Sequence, residues 1–154
     1  MRTQIPHLVA RLDRLIRLCK EASYEYNLAA NHVEDPAARK TLETAVAEHA
    51  AIARELEECV AAHDRAGQVG LIPAVPAEGF WTQLGRAAAA GDQAALLRAC
   101  ERGQRLLLGA FRNSAADGGL DASTQATLRR QAAVVARLHG RMCEWREEPV
   151  ESAS

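Results

Sequence analysis

A histidine interrupts an apolar helical stripe in the segment LETAVAEHAAIARELEECVAAH, residues 42–63. On a helical wheel His49 lies in line with five apolar or small residues of this stripe: Leu42, Ala45, Ile52, Leu56 and Cys59. A buried imidazole costs several kcal/mol unless its ring nitrogens find partners or its charge is removed. We therefore expect polar side chains from facing helices to gather around His49, with Glu48, Glu101 and Gln104 as candidates.

Carboxylates and imidazoles that project into a helical bundle can hold paired iron or manganese ions, with one Glu from each of two helices and Glu-x-x-His from the other two. The candidate metal ligands here are Glu48, His49, Glu101 and His139. The pattern is incomplete, because Glu48 directly precedes His49 and the residue three positions before His139 is Ala136. Three interpretations stay open: a polar layer without metal, which the residues favour; a single weakly held iron, manganese or zinc ion; or a dinuclear centre.

The four cysteines offer no recognisable redox or metal motif. Cys19, Cys59, Cys100 and Cys143 are far apart, no C-x-x-C occurs, and the first three lie on apolar stripes. This spacing favours buried free thiols over zinc ligands or disulfides. A Gly-rich phosphate loop, a Ser-His-Asp set and an exposed reactive cysteine are not evident either, so the sequence predicts no catalytic residues.

Composition points to closely packed helices. The chain of 154 residues is 48% hydrophobic but only 4% aromatic, so its core must be built from Ala, Leu and Val. A net charge of -1 comes from interspersed acidic and basic residues. Nucleic acid is therefore not an expected partner.

The start of the chain, MRTQIPHLVARLDRLIRLCK, interleaves charged residues with its leucines and so does not read as a signal peptide. No apolar run is long enough to span a bilayer. We expect a cytoplasmic protein in a reducing compartment, without a membrane partner.

Four long helices must position these side chains. Apolar or small residues step by three and four over residues 6–33, which predicts the first helix. Asp35 and Pro36 supply an N-cap and a first-turn proline for a second helix that runs to about residue 64. The two predicted helices form an antiparallel hairpin because only a tight turn separates them.

The second half of the chain predicts another hairpin. The Gly- and Pro-rich stretch over residues 66–79 predicts an extended connection, and FWTQLGRAAAA predicts a short helix. Phe80 and Trp81 of this segment are expected to pack onto the outside of the bundle rather than to anchor a partner. Asp92 can cap a third long helix, and Asp121 or Ser123 a fourth. We expect one domain over residues 1–148 and a flexible tail over residues 149–154.

A connection of this length can cross the whole bundle, so the second and third long helices would run in the same direction. The expected fold class is all-α: a ferritin-like antiparallel four-helix bundle with one long crossover that carries a short extra helix. At about 1.5 Å per residue, Ser23, Glu48, Glu101 and His139 then lie at one level, with His49 and Gln104 nearby.

Three segments resemble a bacterial family of ferritin-like four-helix-bundle proteins, distant relatives of rubrerythrin, catalogued as a domain of unknown function. LDRLIRLCKEASYEY is similar to L-x-x-L-I-x-x-C-K-D-G-E-Y-G-F, ACERGQ to E-C-E-R-G-E-D, and RRQAAVVARLHGRM to E-R-Q-x-x-x-x-x-x-N-H-D. The resemblance implies a carboxylate-rich interior centre. It places family carboxylates at Ser23 and Gln104, which carry none here, and retains Glu48, Glu101 and His139.

Loss of two carboxylates removes charge that would balance metal ions, so oxidase or peroxidase chemistry is not expected. Our main hypothesis is a non-catalytic stress or accessory protein with a degenerate interior metal centre, which self-associates as a homo-oligomer. Two alternatives stay open: a metal-binding or redox protein that uses iron, manganese or zinc, and a helical protein–protein interaction module.

Overall fold

The computed structural model describes residues 5–63 and 81–146 of the chain, and these residues are almost entirely helical. The helices are α1 (Ile5–His32), α2 (Pro36–His63), α3 (Thr82–Ala90), α4 (Gln93–Ala115) and α5 (Ala122–Met142), and a 3-10 helix (Cys143–Arg146) follows α5. The all-α prediction is confirmed. The predicted extended connection over residues 66–79 and the predicted tail over residues 149–154 lie outside the described residues.

Aspartate caps set the starts of three long helices. The side chain of Asp35 accepts a backbone N–H at 2.8 Å at the start of α2, and Asp92 does the same for α4 at 3.0 Å. Asp121, rather than Ser123, caps α5 at 3.1 Å. Each cap satisfies a backbone donor that the first helical turn leaves unpaired. Gly91 ends α3 in the left-handed region at φ 69°, where glycine has no Cβ to clash.

Contacts at the helix ends establish the directions of the helices. The backbone oxygen of His32, at the end of α1, accepts a hydrogen bond at 2.8 Å from Gln93, at the start of α4. His63 at the end of α2 lies 3.4 Å from Asp121 at the start of α5. Helix α1 is therefore antiparallel to α2 and α4, and α5 is antiparallel to the same two helices. As predicted, α2 and α4 run in the same direction.

The four long helices enclose a common core. Helices α1 and α5 each pack against both α2 and α4, so α1 and α5 occupy opposite corners. The predicted stripe of α1 is buried throughout: Leu8, Leu12, Leu15, Cys19, Ala22, Tyr26, Ala29 and Val33. Within the described ranges, none of the helices combines the length and the apolarity needed to cross a bilayer.

Trp81 reaches farther inward than the sequence predicted. Its side chain is 7% exposed, and its ring meets that of Tyr26 edge-on, with 5.0 Å between the ring centroids. The indole also lies directly against Gly103 of α4, where a Cβ atom would come within 2.1 Å of it. Trp81 thus packs against the bundle, as predicted, but it goes deeper than expected, because Gly103 opens a slot through which the ring reaches Tyr26.

Candidate functional site

His49 is fully buried, but its polar contacts differ from those expected. Its Nδ1 lies 2.7 Å from the backbone oxygen of Ala45 in its own helix, and its Nε2 has no hydrogen-bond partner in the described part of the chain. The ring packs beside Tyr26, with 5.5 Å between centroids. Burial lowers the pKa of His49 to about 4, so the imidazole is neutral at pH 7. The core therefore accommodates His49 by removing its charge rather than by surrounding it with polar side chains from facing helices.

Tyr26 and Gln104 form the polar contact at the centre of the core. The Tyr26 hydroxyl lies 2.7 Å from Oε1 of Gln104 and 3.1 Å from the backbone oxygen of Cys100. The Gln104 amide nitrogen donates to the backbone oxygen of Val135 at 3.0 Å. Burial raises the pKa of Tyr26 well above its ordinary value, so its hydroxyl stays a donor. Gln104 thus joins α4 to both α1 and α5.

A second neutral donor lies in the first hairpin. The hydroxyl of Ser23 on α1 donates to the backbone oxygen of Val46 on α2 at 3.0 Å. This bond is the counterpart of the one from Gln104 to Val135 between α4 and α5. Each hairpin is therefore joined near its middle by a neutral side chain that donates to a helical carbonyl.

Glu101 and His139 are brought together across α4 and α5. Oε2 of Glu101 lies 2.8 Å from Nε2 of His139, and the carboxylate is only 1% exposed. Arg105, one turn along α4, donates to both oxygens of Glu101, at 3.1 and 3.4 Å. Burial alone would raise the pKa of Glu101, but the hydrogen bonds from Arg105 and His139 outweigh it and lower the pKa below its ordinary value. The carboxylate is therefore ionised and paired.

The other two candidate metal ligands lie outside this pair. Glu48 and His49 are on α2, and neither makes a hydrogen bond or ion pair with Glu101 or His139 in the structure. Among residues 5–63 and 81–146, no group of three or more His, Cys, Asp or Glu side chains could hold a metal ion. The structure therefore assembles two of the four residues, and a metal site stays a prediction.

One contact was missed at the sequence level. Sγ of Cys143 lies 3.7 Å from Nδ1 of His139, the ring nitrogen that does not face Glu101. Four side chains thus form a row in which each contacts the next: Cys143, His139, Glu101 and Arg105. The sequence could have predicted the contact between Cys143 and His139, because residues four apart are neighbours on a helix.

A surface groove lies between α1 and α2, on the outside of the first hairpin. It encloses about 510 Å³, and its lining includes Tyr24, Ala50, Ala53 and Arg54. Tyr24 is 69% exposed, unlike the other large apolar side chains of the described residues. Lys20 and Glu57, which pair at 2.6 Å, also line the groove.

Comparison with known protein families places most of the chain in a family. Residues 7–117 match the family described as Domain of unknown function (DUF2383). The chain belongs to this family. The match to DUF2383 spans α1 to α4 and includes Ser23, Glu101 and Gln104, whereas His139 and Cys143 follow the matched range. Neither the curated proteins nor the solved structures include a match to the chain.

Proposed function

We propose that this DUF2383 protein is a ferritin-like bundle with a non-catalytic, accessory function, in which helix-joining hydrogen bonds replace an interior metal centre. Two observations support the ferritin-like assignment. The helices form two antiparallel hairpins, and α2 and α4 run in the same direction, as one long crossover requires. The sequence also resembles the ferritin-like family over its first, third and fourth long helices.

The observation that carries the proposal is the hydrogen bonding of Ser23 and Gln104. The resemblance places metal-binding carboxylates at both positions, yet here each side chain donates to a backbone oxygen, of Val46 and Val135 respectively. An ionised carboxylate can only accept hydrogen bonds, so it would face these carbonyl oxygens without a donor. The two positions therefore serve to join helices in this chain.

The carboxylate of Glu101, which remains at the centre, already has hydrogen-bond partners on both sides. Glu101 is bound by Arg105 on one side and by His139 on the other. A metal ion would have to displace a guanidinium cation from a buried carboxylate, and it would lack the negative charge that two further carboxylates supply. These contacts favour an ion-paired structural centre over a metal-dependent enzyme.

Elemental analysis of protein purified without an affinity tag tests this proposal. We expect no stoichiometric iron, manganese or zinc, and no gain in thermal stability when these ions are added. The double variant Ser23→Glu, Gln104→Glu restores both carboxylates and should bind more metal than the wild type. Stoichiometric metal in the wild-type protein, lost on Glu101→Gln, would overturn the proposal.

The groove between α1 and α2 favours self-association as the way in which the protein acts. An interface between two copies related by a two-fold axis uses the same patch twice, so a charged patch has to carry both signs of charge. Lys20, Arg54 and Glu57 meet this requirement around the exposed ring of Tyr24. The proposed occupant of the groove is therefore a second copy of the chain.

Light scattering at several protein concentrations tests self-association. We expect a mass above that of one chain for the wild type and a monomer for Tyr24→Glu. Asn113→Glu, at an exposed position of α4, is the control and should behave as the wild type. A wild-type protein that stays monomeric at every concentration would exclude the homo-oligomer.

A further inference from the structure

We propose that Cys143 is a reactive thiol that exchanges with small-molecule disulfides, with His139 as its proton acceptor and Glu101 as the positioning residue. This activity needs no metal and is independent of the accessory function proposed above. The geometry that carries it is the row of contacts from Cys143 through His139 to Glu101, at 3.7 and 2.8 Å.

The hydrogen bonds define which nitrogen of His139 carries the proton. The Glu101 carboxylate can only accept, so Nε2 of His139 must be its N–H donor. In the neutral ring Nδ1 is then the unprotonated nitrogen, and it is this nitrogen that faces Sγ of Cys143. A base beside the nucleophile, oriented by a third group, is the arrangement that activates a thiol.

The other three thiols lack such an arrangement. Cys19 and Cys100 are fully buried, and burial strongly raises the pKa of each. Cys59 is partly exposed, but burial and the nearby carboxylates of Glu55 and Asp121 raise its pKa as well. A raised pKa keeps a thiol protonated and unreactive. Cys59 therefore serves as an internal comparison at similar exposure.

The surface beside Cys143 is open to a reagent. Cys143 is itself partly exposed, and Gly140 lies one helical turn before it on the same face of the helix. Gly140 is exposed, and a Cβ atom placed there would have no neighbour within 4 Å among residues 5–63 and 81–146. A disulfide can therefore approach the sulfur of Cys143 across Gly140.

The proposed exchange is balanced without a further oxidant. The thiol proton of Cys143 moves to Nδ1 of His139, and the thiolate attacks one sulfur of the disulfide. A new S–S bond to Cys143 forms while the original S–S bond breaks. The departing group takes the proton from His139 and leaves as a thiol, or, when it is an acidic aromatic thiol, it leaves as the thiolate and His139 gives the proton to solvent. Cys143 is oxidised to a mixed disulfide, and half of the reagent is reduced.

The reaction of the native protein with dithiobis-nitrobenzoate, an aromatic disulfide that releases a coloured thiolate, tests the proposal. We expect a single fast thiol, which peptide mass mapping assigns to Cys143. It should react faster than the average thiol of the same protein in denaturant, since exposure alone cannot exceed that rate. Cys143→Ser should abolish the fast phase, and Cys59→Ser should leave it unchanged.

His139→Gln tests the role of the imidazole, because glutamine can still donate to Glu101 but supplies no base. The fast phase should slow on the order of tenfold to a hundredfold. An unchanged rate in a folded His139→Gln protein, or a fast phase that maps to Cys59, would overturn the proposal.

Gly140→Leu decides the matter if His139→Gln does not fold. The leucine has open space around its Cβ atom, so it should leave the thermal unfolding temperature near that of Gly140→Ala while it covers the approach to Cys143. We expect the fast phase to slow in Gly140→Leu relative to Gly140→Ala. Equal rates in these two variants would refute the proposed approach and, with it, the assignment. Elemental analysis of the wild type stays independent of these results.

Discussion

The indole ring of Trp81 occupies the space that a side chain at Gly103 would need, since a Cβ atom there would lie 2.1 Å from the ring. The indole N–H is buried and has no hydrogen-bond partner among the described residues. Close packing rather than a hydrogen bond therefore holds the ring in place. The space left by Gly103 lets the start of α3 pack directly against α4. The same ring supports Tyr26 edge-on, so the slot also packs the central polar contact.

Gly103→Ala should therefore destabilise the protein, although alanine is the better helix former by about 1 kcal/mol. Because the added Cβ atom would lie far inside contact distance of a buried ring, displacing the ring should cost about 3 kcal/mol, so the net loss should be about 2 kcal/mol. Gly109→Ala on the exposed face of α4 is the matched control and should stabilise the protein, because a Cβ atom there meets none of the described residues within 4 Å. Denaturant unfolding measures both, and two stabilised variants would contradict the tight slot.

Tyr26→Phe should lower the free energy of unfolding by about 1–3 kcal/mol, because Oε1 of Gln104 loses its buried donor. Tyr24→Phe removes the same hydroxyl from an exposed ring and should change stability little. Denaturant unfolding of the two single variants makes the comparison. Equal effects would mean that the hydrogen bond to Gln104 contributes nothing.

His49 should make the fold sensitive to acid. Its pKa in the folded state, about 4, lies below the ordinary value of 6.5, so the unfolded chain takes up a proton first as the pH falls. The stability contributed by the neutral ring is fully present above pH 6.5 and is lost progressively between pH 6.5 and about 4. The loss amounts to about 3 kcal/mol, since one pKa unit is worth about 1.4 kcal/mol.

His49→Leu should remove this loss, because leucine carries no titrating group. Denaturant unfolding at several pH values gives the free energy of unfolding of the variant and of the wild type. The difference between the two isolates the effect of His49, because the carboxylates titrate in both proteins and cancel. His32→Gln, at an exposed position, should follow the wild-type profile. Parallel pH profiles for His49→Leu and the wild type would contradict a depressed pKa at His49.

Glu101→Gln should slow the proposed reaction of Cys143 by about tenfold, because the amide no longer holds Nε2–H of His139 in a charge-assisted hydrogen bond that turns Nδ1 towards Cys143. Glu55→Gln is the matched control: like Glu101, Glu55 pairs with an arginine, here Arg130, but its second partner is Gln131 and it lies between α2 and α5. The rate with dithiobis-nitrobenzoate should be unchanged in that variant. A similar rate in both would exclude Glu101 from the row.

The sequence by itself determined the helices and most of the buried positions. Apolar residues at steps of three and four predicted α1 along its whole length, and the aspartates at positions 35, 92 and 121 marked the starts of three helices. Helical hydrogen bonds, caps and periodicity all depend on residues a few positions apart, so they can be predicted from one sequence. For the same reason, the patterns placed His49 and Gln104 inside before any fold was known.

Only the tertiary structure decided which buried groups meet. A shift of one residue moves a side chain by about 1.5 Å along the helix and about 100° around it, so partners depend on axial offsets and rotations that the whole core sets together. That is why Gln104 bonds Tyr26 rather than His49, and why His139 lies between Glu101 and Cys143 instead of facing Glu48. The need for glycine at position 103 could not be predicted from the sequence either, because it depends on contact with Trp81, which precedes a different helix.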